Sequence, residues 1–364
     1  MIRKISRHLD ILRYAWRVSR GHRQPLMPTL KRAATLYRER RFFADEAFDL
    51  GLLRLDCDPG FLEGAVSRRY QAQVQRRLNP ESWAPALSDK GIFYRFCEAA
   101  GLAIPRLHAL YFKNAPGYCP AGARLWNSPQ WTEFVSRALP DEFVIKPCVS
   151  YAGSGVVGFV RTSDSSFTSS LDRDMTAGQI VAFMCDYPDA ESFVVQERLR
   201  SHSELAALTG SANLQTLRLT TYVDRDMECR LLFAFVKLMT REGTLTDNIG
   251  SGRTGNLLNK VCTESGTIVE SYEKTRDGTG NRPISHHPVT NRELIEFKIP
   301  HWDEACDLVR RAAHLFLPVR SVGWDVAISD DGVRLLEGNI WWDRFSHDSH
   351  YIHTLLKDLD GRGA

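Results

Sequence analysis

The sequence predicts an α+β protein in which antiparallel strands carry the polar chemistry and a basic helical region precedes them. Three observations predict it. Residues 322–343 read VGWDVAISDDGVRLLEGNIWWD, two apolar runs joined by Asp330-Asp331-Gly332, a strong hairpin signal. Residues 141–160 read DEFVIKPCVSYAGSGVVGFV, a strand ending at Lys146-Pro147, a glycine-rich loop and a second strand. Residues 1–20 place Ile2, Ile5, Leu9, Leu12 and Trp16 at spacings of three and four, one face of an amphipathic helix.

A chain of 364 residues is long enough for two or three compact units with a sizeable core. With 43% hydrophobic and 25% charged residues its composition is that of an ordinary soluble protein. No apolar run approaches a bilayer span, and the first residues lack the apolar core of a secretory signal. Eight scattered cysteines without a CxxC pair argue against a zinc site or a disulfide framework and suit a reducing cytoplasm. The net charge of +3 is uneven. Residues 1–41 hold twelve Lys/Arg against Asp10 and Glu39, a balance of +10.

In chain order, the first helix sets its apolar stripe against Arg3, Arg7, Arg13, Arg17 and Arg20. Such a helix either lies on an anionic membrane surface or packs on the body with a solvated basic face; without a lipidation signal the second is the expectation. No nucleic-acid motif follows the basic charge, so nucleic acid is not an expected partner. Gly21 to Pro28 breaks the pattern, a second basic helix is expected over residues 29–49, and Asn79-Pro80 marks a boundary. A further helix opens at Ser88-Asp89-Lys90, with Ser88 or Asp89 as N-cap and Phe93, Phe96, Cys97 and Ala100 buried. Phe193 to Leu199 is a short buried strand that turns polar. Strands Leu217–Val223 and Cys229–Met239 follow. Arg218 lies among β-branched and apolar neighbours, where a charge needs an acid or a substrate opposite it. Lys237 stands at the end of LLFAFVK, and a glycine-rich loop with Arg253 comes next.

In the last hairpin Asp325 interrupts one strand, and Glu337 and Asn339 lie on one face of the other. Two carboxylates and an amide converging across adjacent strands form an oxygen-donor set for a hard cation such as Mg²⁺. In the earlier glycine loop, Gly153, Ser154 and Gly155 let backbone N–H groups approach phosphate oxygens, with Lys146 adding a point charge.

WDVAIS…LLEGN resembles the metal-binding hairpin of ATP-grasp enzymes, and the resemblance extends in order from about Ser88 to Asp343. Strand–KP–loop–GxG–strand is similar to the ATP-grasp lid, and DK…F…AGLAIP to the entry into the core. HPVT at 287–290, IPHW at 299–302 and EGN…WD at 337–343 look like the sugar-transfer-associated subgroup. The resemblance implies an ATP-grasp fold of two α+β subdomains clamping ATP: a helical basic region at 1–80, a catalytic region at 81–350 (lid about 125–197, core about 198–350) and a tail at 351–364. It implies ATP and Mg²⁺ (one or two ions, Mn²⁺ as a substitute), held by Asp325, Glu337 and Asn339. Lys90, Lys146, Gly153, Ser154, Gly155, Gln196, Glu197, Leu199 and Lys237 would contact the nucleotide, with Glu197 holding it at the hinge. The implied activity is ligation of a small-molecule carboxylate to an amine through an acylphosphate, releasing ADP and phosphate, in natural-product or surface-polysaccharide assembly. A small-molecule kinase and a non-catalytic nucleotide-binding module are the alternatives. Two departures stand out: Gly323 where D-alanine ligase-like relatives carry arginine, which shifts oxyanion stabilisation to Arg218 or Arg253, and Asn291 where glycine is expected.

Overall fold

In a computed structural model of the protein, residues 2–150, 153–240, 254–343 and 350–360 are described. The N-terminal region is helical, with α1 (Ile2–Gly21), α2 (Leu26–Arg38), α3 (Ala44–Asp49), α4 (Pro59–Gly64) and α5 (Arg68–Leu78). The single helix expected over 29–49 is two, separated by an irregular segment in which Arg41 takes a left-handed backbone. α1 packs on α2 and α3, but through Ile11, Ala15 and Val18. Leu9, Leu12 and Trp16 of the expected stripe are exposed instead.

The boundary expected at residue 80 falls just after α5. α5 belongs structurally with the rest of the chain: Gln71 and Gln75 Nε2 donate to the Trp342 carbonyl at 2.6 and 2.8 Å. Asn79 Nδ2 donates to the carbonyls of Ser321 (2.8 Å) and Ile340 (3.0 Å), while its Oδ1 accepts from Ser321 N–H (3.0 Å).

Next come α6 (Ala84–Ser88) and α7 (Lys90–Ala99), with Asp89 as the N-cap that accepts from the Gly91 and Ile92 N–H groups. β1 (Leu107–Phe112), α8 (Ser128–Glu133), β2 (Glu142–Pro147), β3 (Val157–Ser163), β4 (Ser166–Ser169), β5 (Arg173–Thr176), α9 (Ala177–Asp186) and β6 (Ser192–Glu197) follow. Their strands form an antiparallel sheet in the order β1-β6-β2-β3-β4-β5, so this unit begins at Leu107, ahead of the expected lid start. Its aromatic core of Phe143, Phe159, Phe167 and Phe193 packs beneath α8 and α9.

The second sheet runs β11-β10-β9-β8-β7-β12-β13. It is built from β7 (Thr216–Val223), β8 (Cys229–Leu238), β9 (Leu257–Val261), β10 (Ile268–Lys274), β11 (Asn281–Pro283), β12 (Ser321–Ser329) and β13 (Gly332–Asn339), with α10 (Ser203–Thr209) before it and α11 (Trp302–Leu315) across it. Strand alternation sorts the two faces. Leu217, Leu219, Trp324 and Val326 enter the core against Ala305, Val309 and Ala312 of α11. The alternate residues Arg218 and Asp325 point to the other face. Part of that face is covered by α5 and by α12 (His350–Leu359), which pack around Tyr222, Phe233, Phe235 and Trp342. The expected C-terminal tail is therefore helical over most of its length. Asn291, at the site of an expected glycine, has φ 55°, a conformation asparagine tolerates better than most residues.

Asn79 satisfies three backbone groups that no other described side chain reaches. Asn79→Ala should lower unfolding stability by roughly 3 kcal/mol, about 1 kcal/mol per hydrogen bond, read as a denaturant midpoint shift; an unchanged midpoint would remove this tie.

Candidate nucleotide and metal site

A cleft of about 500 Å³ lies between the two sheets. From the first sheet it takes Val144 and Lys146 of β2, Gln196 of β6 and Gly153; from the second, Thr216, Arg218, Lys237, Asp325 and the segment 336–343. Lys90, at the first turn of α7, closes one side. Its backbone N–H donates to Cys148 O at 2.9 Å, which docks the helix start on the end of β2.

The second sheet builds a charged row by register. Asp325 pairs with Arg218 of β7 on one side and with Glu337 of β13 on the other. A bulge at Leu336 keeps Asp325 opposite Glu337, and Asn339 follows two residues later on the same face. Asn339 Nδ2 reaches Glu337 Oε1 at 3.4 Å. Arg218 grips Asp325 bidentately, Nε to Oδ1 at 2.5 Å and Nη2 to Oδ2 at 2.9 Å, and Lys237 Nζ stands 3.8 Å from Oδ1. Lys90 Nζ is 3.4 Å from Glu337 Oε2.

Burial alone would keep Asp325 protonated, but the charges of Arg218 and Lys237 outweigh it and hold the carboxyl far below the usual carboxylate range. Arg218 is likewise held charged by Asp325 against its burial. Among the described residues no partner of opposite sign is in contact with Lys146. Its Nζ donates to Tyr94 Oη at 2.6 Å, and burial followed by the Lys90 charge brings its pKa down to about 7. Tyr94 donates onward to Leu336 O at 3.0 Å, and burial keeps it a neutral phenol.

Counting charges over the lining gives Lys90, Lys146, Arg198, Arg218 and Lys237 against Asp325, Glu337 and Asp343. The cleft is cationic on balance and suits a polyanion. The oxygen donors Asp325, Glu337 and Asn339 fit a hard divalent cation. Among the described residues no group of three His, Cys, Asp or Glu side chains could hold a metal ion. Gln196 adds an acceptor: its Oε1 is buried without a hydrogen-bond partner among the described residues, on a side chain that lines the cleft.

Two glycines shape this corner. A Cβ on Gly338 would lie 2.4 Å from Leu87 Cδ2, so the glycine of EGN admits α6 beside the hairpin. A Cβ on Gly323 would lie 2.7 Å from Trp342 Cβ and 3.3 Å from Arg218 Nη1. The place of the arginine expected at 323 is thus already filled.

A family model described as sugar-transfer associated ATP-grasp matches residues 69–348. The chain belongs to this family. Its α+β architecture is the ATP-grasp fold, and the match begins inside α5, in keeping with the packing of that helix on the core. No curated protein matches the sequence. Similar solved structures include the ATP-grasp ligase PsnB with minimal precursor, Mg and ADP (13% identity, TM-score 0.36, 78% of this chain and 62% of that one). PurK, an N5-carboxyaminoimidazole ribonucleotide synthetase in an ADP complex, shows 11% identity and a TM-score of 0.41 over 78% of this chain and 53% of that one. D-alanyl-alanine synthetase A from Vibrio cholerae shows 10% identity and 0.39 over 76% and 66%. This chain thus spans less than two thirds of the length of each.

Of the residues expected in the site, Lys90, Lys146, Gly153, Gln196, Leu199, Arg218, Lys237, Asp325, Glu337 and Asn339 line the cleft together. Glu197 does not join them: its Oε1 accepts from Arg106 N–H at 2.7 Å, so it fastens β6 to the segment before β1. Ser154 and Gly155 are outside the lining, and Arg253 lies outside the described residues. His287 of the HPVT segment is not in the cleft lining and is a buried brace, with Nε2 2.9 Å from Met239 O and its pKa lowered by burial. Tyr94 was missed in the sequence, although its i,i+4 spacing from Lys90 on a capped helix was a usable signal. Trp341 and Asp343 carry no motif beyond their place after EGN.

Lys146 gives a pH test. An anion favours its charged form, so nucleotide binding above pH 7 must take up a proton. Between pH 7.5 and 9, ATP affinity should fall by up to about tenfold per unit, with proton uptake visible as buffer-dependent calorimetric heats. Lys146→Gln should abolish both. Persistence of the same pH slope in that variant would assign the proton elsewhere.

Proposed function

We propose that this protein is an ATP-dependent carboxylate–amine ligase. The observation that carries the reading is the row Lys237–Arg218–Asp325–Glu337–Asn339 on one sheet, facing Lys146 and Lys90 across a cationic cleft. ATP-grasp membership supports ATP as the polyanion. The neutral portion of the cleft beside Val144, Gln196 and Leu199 suits a nucleobase, with the Gln196 acceptor open to an exocyclic amine.

Asp325, Glu337 and Asn339 would hold Mg²⁺, which when bound offsets phosphate charge and aligns the phosphoryl group. Lys90 and Lys146 would hold phosphate oxygens as point charges. A substrate carboxylate oxygen attacks the γ-phosphorus, and the bond to ADP breaks. The amine then attacks the acylphosphate carbonyl, loses a proton to solvent, and phosphate leaves as the amide forms. Arg218 is the oxyanion donor in this reading: Nε and Nη2 hold Asp325, and Nη1 is the nitrogen beside Gly323. This position supports Arg218 for the role.

The test is ATP turnover with Mg²⁺ against pools of amino acids, amino sugars and sugar acids. ADP and phosphate should form only when an acid and an amine are both supplied, and Arg218→Lys should lower kcat by about a hundredfold. A stable phosphorylated product would assign a kinase instead. AMP and pyrophosphate would contradict the acylphosphate route.

A further inference from the structure

α1 is apolar on the side that faces away from the body. Its inner side seats Ile11, Ala15 and Val18 in the N-terminal core. Leu9, Leu12 and Trp16 are 59%, 52% and 52% exposed. At the helical repeat these three fall within an arc of roughly 60°, and Arg20 and Arg13 follow along its edge within about another 40°. The Arg20 guanidinium lies 5.3 Å from the Trp16 ring centroid. Arg13, Arg17 and Arg20 of α1 are exposed, as are Arg23, Lys31, Arg38 and Arg41 farther along the N-terminal region, whereas residues 1–41 contain two acids in total.

An occupant has to satisfy both properties, the apolar ridge and the charge of +10. A second copy of the chain would bring two such cationic surfaces together, which Coulomb repulsion opposes. An acidic protein would answer the charge, but a single convex helix offers it a narrow ridge without a groove. A bilayer with anionic headgroups needs no shape complementarity. It pairs with the arginines while Leu9, Leu12 and Trp16 enter the boundary between headgroups and acyl chains. We propose that α1 docks this protein, with the helix axis parallel to the surface, on an anionic lipid bilayer. No helix among the described residues is long and apolar enough to cross a membrane, so the attachment is peripheral and reversible.

Flotation of the full chain with vesicles tests this. Phosphatidylcholine vesicles containing 30% (about one third) phosphatidylglycerol should bind at least about tenfold more protein than phosphatidylcholine alone, with the difference removed by high salt. Leu12→Ala with Trp16→Ala should reduce partition about tenfold or more, and Arg13→Gln or Arg20→Gln about fivefold each. These side chains are more than marginally exposed and outside the cleft, so circular dichroism and ATP turnover should be unchanged. Failure to float with anionic vesicles would overturn the proposal, as would flotation insensitive to the α1 variants. A lipid-free dimer dissolved by Leu12→Ala would assign the face to a second copy. Soluble polyglutamate binding as tightly, with the same sensitivity to Trp16→Ala, would assign it to an acidic protein.

Discussion

Arg218 and Asp325 face each other across neighbouring central strands, Asp325 buried and Arg218 largely so, and are bound through two hydrogen bonds. A charge placed alone in that position would be severely penalised, so each residue is tolerable only with the other. Replacing both with apolar residues of similar size would cost the fold little and could even favour it. Their presence is therefore better explained by what they do for the cleft than by what they do for stability. With Lys237 beside it, Asp325 stays ionised despite burial, and the pair fixes the register from which Glu337 and Asn339 take their places.

The elements around this pair serve to keep one end of the sheet face closed and the other open. α5 and α12 cover the aromatic end, with Gln71 and Gln75 holding the Trp342 carbonyl and Asn79 fastening β12 to the segment after β13. At the open end α6 approaches Gly338, and α7 delivers Lys90 and Tyr94 toward Lys146. Of the cleft's cations Lys146, Arg218 and Lys237 come from strands and Arg198 from the residue after one, while Lys90 comes from the start of α7. The N-terminal helices ahead of α5 form their own small core, and their charge has no counterpart in the site.

The chemistry on strands was legible because strand periodicity places side chains without knowledge of the partner strand. Asp325, Glu337 and Asn339 could be assigned to one face from a hairpin turn and a spacing of two, and the need of Arg218 for an acid opposite it was visible from its neighbours. Long-range placement was not legible. Nothing in QERL says that Glu197 turns to the Arg106 amide while Gln196 turns to the cleft. The apolar residues of α1 suggested a buried stripe, yet tertiary packing chose Ile11, Ala15 and Val18, because α1 carries apolar residues on two sides. Asn79-Pro80 read as a boundary since both residues favour turns, whereas the Asn79 side chain is a buried tie between distant segments.

Asp325, Glu337 and Asn339 are proposed to form a divalent-cation site used together with a nucleotide. Calorimetric titration of ATP with Mg²⁺ and with EDTA, on the native chain and on Glu337→Gln, tests it most directly. Mg²⁺ should strengthen ATP binding to the native protein by about tenfold or more, equivalent to roughly 1.4 kcal/mol, and Glu337→Gln should lose this dependence while still binding ATP in EDTA. Equal affinities with Mg²⁺ and EDTA in the native protein, or an unchanged Mg²⁺ dependence in the variant, would contradict it.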